Sequence, residues 1–279
     1  MIDVKNLRRV YGDKVALHDL TLSVKAGEIF AFLGPNGAGK TTTIKILTGL
    51  LKATAGSTCI GGFDLATDGL KARALMSYVP DEPYLYEKLT AREFLRMMGD
   101  LYGMQREQTE ARIEEVTKTF ELGEFIDRLT EGYSHGMKQR VVISAALLHK
   151  PRLLVIDEPM VGLDPKSART VKDTLKALSR NEGMTVFMST HTLSVAEEVA
   201  DRIGILNQGK LVALGTLEEI RALRTSGNGQ RLEDLFLELT SADPRQPLRI
   251  RQNFLATERD WATLRAGLRM VRDIAAQSP

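Results

Sequence analysis

The sequence of 279 residues predicts an α/β fold, and three observations carry that class. Residues 29–33, 153–156 and 185–188 are short, almost wholly apolar runs, the pattern of buried parallel strands. Stretches with apolar residues at helical spacing lie between them, so strands and helices alternate as in a covered parallel sheet. The first run leads directly into Gly34-Pro35-Asn36-Gly37-Ala38-Gly39-Lys40-Thr41, and residues 42–47 can then open a helix. Strand, glycine-rich turn and helix is the context in which G-x-x-x-x-G-K-[ST] marks a phosphate-binding loop.

The remaining elements follow along the chain. Residues 1–33 are strand-rich: Gly12-Asp13-Lys14 breaks Val10-Tyr11 from Val15-Ala16-Leu17, and Gly27 marks the next turn. Leu20, Leu22 and Val24 alternate with Thr21, Ser23 and Lys25, the period of a half-buried strand. From residue 87 to 150 the pattern turns helical. Thr90 with Glu93 three later is a capping box, followed by Phe94, Leu95, Met98, Leu101 and Tyr102. Ile113, Val116 and Phe120 repeat the spacing, so this block reads as a helical subdomain inserted into an α/β core. Residues 203–213 carry a hairpin signal around Asn207-Gln208-Gly209-Lys210. Thr225-Ser226-Gly227-Asn228-Gly229 is a flexible break. Beyond it, Thr257 can cap a helix with a stripe of Trp261, Leu264, Leu268 and Val271 and with Arg265, Arg269 and Arg272 beside it. Seven Arg against four Asp or Glu give residues 241–279 a net charge of +3. Such a helix packs on its own chain or dimer mate, or touches anionic lipid or a membrane partner; the narrow stripe favours packing.

Composition sets the outer limits. At 43% hydrophobic and 27% charged the chain is an ordinary globular protein. A net charge of +2 gives no footprint for nucleic acid. A single cysteine, Cys59, rules out a disulfide within the chain. The N-terminus has no apolar signal core, and the longest apolar run, 141–148, is far too short to span a bilayer. The reading is a soluble, cytoplasmic protein that reaches a membrane only through a partner.

The phosphate loop carries the first chemistry. Gly34, Gly37 and Gly39 let backbone N–H groups converge on phosphate oxygens, and the helix start adds partial positive charge. Lys40 reaches the β- and γ-phosphates and Thr41 offers a hydroxyl to Mg²⁺. The run 153–156 then ends in Asp157-Glu158. At a strand end beside the loop, Asp157 can hold Mg²⁺ through water, and Glu158, projecting differently, is the candidate general base for an attacking water. The plainer alternative is an acidic pair that only closes a strand.

Between these two elements lies Tyr133-Ser134-His135-Gly136-Met137-Lys138-Gln139-Arg140. It resembles the signature motif of ABC-type ATPases, Leu-Ser-Gly-Gly-Gln-x-Gln-Arg. Further motifs of that family follow in order: Tyr11 at the adenine-stacking aromatic, Asp81 at the Q-loop, Gly162-Leu163-Asp164-Pro165 at the D-loop and His191 at the switch histidine. The likeness covers residues 1–240. It implies a P-loop NTPase core with a mixed central sheet, an N-terminal antiparallel β subdomain, the helical insertion at about 87–150, and a short helical extension at 241–279. It implies that ATP and Mg²⁺ are bound, with Tyr11 and Val15 at the base and Asn36, Gly37, Ala38, Gly39, Lys40, Thr41 and Thr42 at the phosphates. Thr41, Asp81 and Asp157 would serve the metal, and Glu158, His191 and Lys40 the hydrolysis. Ser134, Gly136 and Asp164 would meet the nucleotide of a second copy or paralogue, closing ATP into a dimer. Ser134 also reads as the cap of a helix beginning near Gly136.

Three positions depart from the pattern. Asp81 stands for a glutamine and cannot donate a hydrogen bond as an amide does. His135 replaces a glycine and Met137 a glutamine; a side chain at 135 crowds the facing nucleotide or adds a contact to it. One phosphate loop and no membrane span leave a stand-alone cassette docked on a separate integral-membrane permease at the inner face of the cell membrane. The wording around the signature and Val79-Pro80-Asp81-Glu82-Pro83 looks most like the bacterial type-two exporter branch. The alternative is an ATP-dependent dimerisation switch with little turnover. Tyr84 and Tyr86 either contact the permease or fill the seam between subdomains.

Overall fold

In a computed structural model the structure describes residues 1–222. The predicted break at 225–229 and the helix after Thr257 lie outside them. The chain opens with a hairpin of β1 (Ile2–Tyr11) and β2 (Lys14–Val24), closed by the two residues Gly12-Asp13 where Tyr11 pairs with Lys14. The alternation read in the sequence holds: Leu20, Leu22 and Val24 are buried and Thr21 and Ser23 exposed. β3 (Ile29–Leu33) follows, then the glycine-rich loop and α1 (Lys40–Leu47). β4 (Ala55–Ile60) and β5 (Phe63–Asp64) complete an antiparallel sheet in the order β2-β1-β4-β5.

The second sheet is mixed. After α2 (Gly69–Ala74) come β6 (Met76–Val79), the helical insertion, and β7 (Leu153–Ile156). The helices α6 (Pro165–Glu182) and α7 (Leu193–Val199) flank β8 (Thr185–Thr190). The hairpin of β9 (Arg202–Asn207) and β10 (Lys210–Gly215) turns at Gln208-Gly209, and α8 (Leu217–Ala222) follows. The order is β10-β9-β3-β8-β7-β6, parallel except for β10. β3 therefore sits between β9 and β8, with β7 one strand further, and the carboxyl ends of β3, β7 and β8 open on one crevice.

Every residue of β3 is buried, and its alternation divides two cores. Ile29, Ala31 and Leu33 face the helices, while Phe30 and Phe32 face the space between the sheets. There they meet Phe187 of β8 at ring-centroid distances of 5.5 and 5.4 Å. A five-residue strand thus anchors the phosphate loop to both cores.

The insertion contains α3 (Ala91–Leu101), α4 (Arg106–Thr119), a 3₁₀ turn at Thr130–Gly132 and α5 (His135–Leu147). Thr90 and Glu93 form the predicted capping box, each side chain meeting the other residue's backbone N–H. Phe94, Leu95, Ile113, Val116 and Phe120 are buried as expected. Leu101 is not: it is 73% exposed. α3 ends there, and its close approach to α4 is made by Gly99, where a Cβ would lie 2.5 Å from Thr109. Among the described residues no helix is long and apolar enough to cross a membrane.

Candidate active site

The site begins where β3 passes into α1. Gly39, at the N-cap, has φ +110°, and a Cβ there would lie 2.9 Å from the carbonyl oxygen of Ala16. Both facts demand glycine. No side chain caps α1. Its first amides therefore face the crevice without a competing carboxylate or hydroxyl, as an anion site requires. Gly34 has a different reason for being glycine than the phosphate approach expected of it: a Cβ would sit 2.5 Å from the oxygen of Leu206, so β9 packs directly on it.

Lys40 is buried beneath the loop. Its Nζ donates to the Gly34 oxygen at 2.7 Å and the Pro35 oxygen at 3.4 Å, and lies 3.6 Å from Glu158 Oε1. Asp157, at the end of β7, is only 1% exposed. Its backbone N–H donates to Val79, and its Oδ1 accepts from the Ser189 hydroxyl. Oδ2 is buried with no hydrogen-bond partner. Burial, reinforced by the charges of Asp81 and Glu158, raises the Asp157 pKa, although the Ser189 and Thr41 hydroxyls pull against it. A buried carboxylate with a spare oxygen and a neighbouring threonine hydroxyl is a donor set for a hard divalent cation. Among the described residues no group of three or more His, Cys, Asp or Glu could hold a metal. A cation here must complete its shell with water and phosphate oxygens, which is the habit of Mg²⁺.

Glu158 follows in a left-handed backbone conformation, φ +46°, strained for a side-chain-bearing residue. The turn redirects its carboxylate away from Asp157. Its N–H donates to Ser189 Oγ at 3.1 Å, and its Oε2 lies 2.9 Å from His191 Nδ1 and 3.4 Å from the His191 backbone nitrogen. Ser189 thus accepts from the Glu158 backbone and donates to the Asp157 carboxylate, so one hydroxyl of β8 ties down both residues that follow β7. His191 lies one residue past β8, as read from the sequence, with its side chain half exposed.

A cavity of about 900 Å³ runs from these groups to the β1–β2 turn. Its lining includes Tyr11, Val15, Asn36, Gly37, Gly39, Lys40, Thr41, Thr42, Asp81, Asp157 and Glu158, all read from the sequence. Ala38 is buried just behind it. Asp81 contributes its carboxylate at the rim, accepting from the Glu82 N–H at 3.0 Å. Sequence reasoning missed the far wall: Lys14, Ala16, His18, Asn207, Gln208, Gly209 and Lys210. The hairpin turn at 207–210 was legible, but not its docking. The Gly209 N–H donates to the Ala38 oxygen and its own oxygen accepts from His18, both at 2.8 Å.

Ser134, Gly136 and Asp164 do not line this cavity. Ser134 caps α5, accepting from the Met137 N–H at 3.3 Å, so the helix starts at His135. Asp164 caps α6 with both carboxylate oxygens, accepting from the N–H groups of Lys166 and Ser167 and from the Ser167 hydroxyl. The imidazole of His135 lies over Gly162, where a Cβ would come 2.3 Å from its Cδ2. Met137 packs against the helical core. Both departures from the signature pattern, His135 and Met137, are thereby engaged within the chain.

Comparison with known proteins shows the family. The sequence model of the family described as ABC transporter matches residues 17–161. A second, described as GMC oxidoreductase, matches residues 234–279, outside the described part. The linearmycin resistance ATP-binding protein LnrL of Bacillus subtilis is 40% identical over 79% of this chain and 70% of its own length. The ABC-type transporter ATP-binding protein EcsA, also of Bacillus subtilis, is 35% identical over 87% and 98%. The bacitracin transport ATP-binding protein BcrA of Bacillus licheniformis is 37% identical over 79% and 69%. A solved ATP-binding subunit of an ABC transporter superposes with a TM-score of 0.78 at 36% identity, covering 86% of this chain and all of that one. A dimeric ATP-binding cassette in a post-hydrolysis state, bound to ADP and Pi, superposes at 0.72 with 31% identity over 78% and 99%. The chain belongs to the ABC transporter family, as an ATP-binding subunit that hydrolyses ATP.

Proposed function

We propose that this chain powers a bacterial exporter by hydrolysing ATP at the interface of two cassettes. The observation that carries the reading is the Glu158 carboxylate, with Oε1 3.6 Å from Lys40 Nζ and Oε2 2.9 Å from His191 Nδ1 at the edge of the phosphate loop. In this reading the base of ATP lies against Tyr11 and Val15, and the triphosphate on residues 36–42. Lys40 exchanges its loop carbonyls for phosphate oxygens. Glu158 takes a proton from water as its oxygen attacks the γ-phosphorus, and the bond to the β–γ bridging oxygen breaks. His191 holds the Glu158 carboxylate in line and offers its other ring nitrogen to the γ-phosphate side. Thr41, Asp157 and, from the rim, Asp81 would hold Mg²⁺, which neutralises charge on the β- and γ-phosphates when bound.

Ser134 and Gly136 would present the exposed start of α5 to the nucleotide of the second cassette, with Asp164 shaping the adjoining loop. The second cassette is another copy or a paralogue. The cassette would extend to about residue 240, with 241–279 as an appendage. The partner is an integral-membrane permease, which places the chain on the inner face of the cell membrane. The functions of LnrL and BcrA, resistance to linearmycin and transport of bacitracin, support outward transport of an antibiotic-like compound. Glu158→Gln tests the core of the reading. ATP turnover is expected to fall by about 100- to 10,000-fold, and the variant to accumulate as an ATP-bound dimer by size-exclusion chromatography. Turnover within a few-fold of wild type would remove Glu158 as the base.

A further inference from the structure

We propose that Arg9 is a positioning residue for the nucleotide base, acting through Tyr11. The proposal rests on the reading of Tyr11 as the platform for that base. Arg9 lies two residues before Tyr11 on β1, and its guanidinium carbon stands 4.5 Å from the centroid of the tyrosine ring. Tyr11 lines the cavity and is 43% exposed, whereas Arg9 does not line it. The cation therefore covers the ring from outside the cavity and leaves the cavity side for a second stacking partner. An isolated exposed ring on a strand end samples several rotamers; one held by a guanidinium does not, so less freedom is lost when a base stacks on it.

Arg9 is itself anchored. Its Nη1 donates to the Lys52 oxygen at 3.0 Å. Lys52 follows α1, the helix that the phosphate loop opens. Two further bonds strengthen the same junction: the Val10 N–H donates to the Thr54 hydroxyl at 3.1 Å, and the Thr54 N–H donates to the Arg8 oxygen at 2.8 Å. The guanidinium thus ties the base platform to the exit of the phosphate-binding helix and sets the distance between the two ends of the nucleotide. Among the described residues its buried Nε has no hydrogen-bond partner, and the group is held by the ring and by the Lys52 oxygen.

The test is equilibrium binding of ATP and of inorganic tripolyphosphate to the full chain. The proteins are wild type, Tyr11→Ala, Arg9→Met, Arg9→Lys and the double variant Arg9→Met/Tyr11→Ala. Methionine keeps the apolar stem and removes the cation. Arg9→Met is expected to weaken ATP about 2- to 5-fold, the span of an exposed cation–π contact, with tripolyphosphate unchanged and with partial rescue in Arg9→Lys. In the double variant Arg9→Met is expected to add nothing to Tyr11→Ala, because its effect runs through the ring. An equal loss of ATP and tripolyphosphate, or an undiminished effect of Arg9→Met beside Ala at 11, would overturn the proposal. So would a Tyr11→Ala variant that loses ATP affinity while Arg9→Met does not. If Tyr11→Ala itself leaves ATP binding unchanged, the platform reading falls first and takes the role of Arg9 with it.

Discussion

The two ends of the nucleotide cavity are built on opposite principles. At the phosphate end, Lys40 and Asp157 are buried, and one hydroxyl, Ser189, bonds both the Asp157 carboxylate and the Glu158 backbone N–H. At the base end, Tyr11 is an exposed ring, and the opposite wall is a hairpin turn held to the loop and to β2 by the backbone bonds of Gly209. The phosphate end holds its charges in place before substrate arrives, so little reorganisation is left for the reaction. The end proposed for the base leaves a ring face open and would supply affinity without touching a reacting atom. Damage at the first should appear in turnover, and damage at the second in binding.

The largest effect expected is at Asp157. Asp157→Asn should lower turnover about 100-fold or more, the scale for losing one preorganised electrostatic group. The same variant should melt higher than wild type at pH 7 without nucleotide. Burial raises the Asp157 pKa in the fold, so its contribution to stability is fully present only below the unfolded carboxylate pKa and is lost as pH rises through the folded value. Above that folded value the buried charge opposes folding, and the amide removes the charge. A lower melting temperature would break the contrast, because it would make Asp157 a structural group.

Next in size is Gly209→Ala at the base end. Gly209 has φ +74°, and a Cβ would lie 2.5 Å from the Ala16 oxygen. The variant should lose about 1 kcal/mol or more of stability in denaturant titrations. It should also weaken ATP more than it lowers kcat at saturation. A selective loss of kcat would show that this hairpin serves the phosphate end.

The smallest effect is expected outside the cavity, at the edge of the helical insertion. His149 stacks on Tyr102 with ring centroids 3.6 Å apart, and burial lowers its pKa to about 4. A depressed pKa gives stability that is present above the unfolded value near 6.5 and lost as pH falls toward 4. His149→Phe keeps the stack and should flatten the melting temperature between those values, with ATP affinity at pH 7 unchanged. An unaltered pH profile would assign the acid sensitivity to other groups.

The phosphate end was legible because its geometry is written in contiguous residues. Residues 34–41 form one turn, and Asp157, Glu158 and His191 sit at the ends of apolar runs that any parallel sheet aligns. The base end was legible only at Tyr11 and Val15. Residues 207–210 are about 170 positions away from Ala38 in sequence, and a turn motif says nothing about the surface on which it docks. Helical periodicity likewise marked Leu101 as buried, but periodicity does not reveal where a neighbouring helix stops. His135 read as a side chain that either crowds the facing nucleotide or adds a contact to it; within the chain its ring lies over Gly162, a contact set by a loop conformation that no spacing rule encodes.

The unpartnered oxygen of Asp157 has a consequence for the lifetime of the protein. A chain that buries an uncompensated anion is less stable alone than when loaded, and a ligand bound only by the folded form adds about 2.7 kcal/mol at 100 times its dissociation constant. A nucleotide bound only by the folded cassette would therefore make opening, and with it proteolysis, rarer in the loaded form than in the empty one. The same carboxylate would then link the abundance of the transporter to the energy charge of the cell.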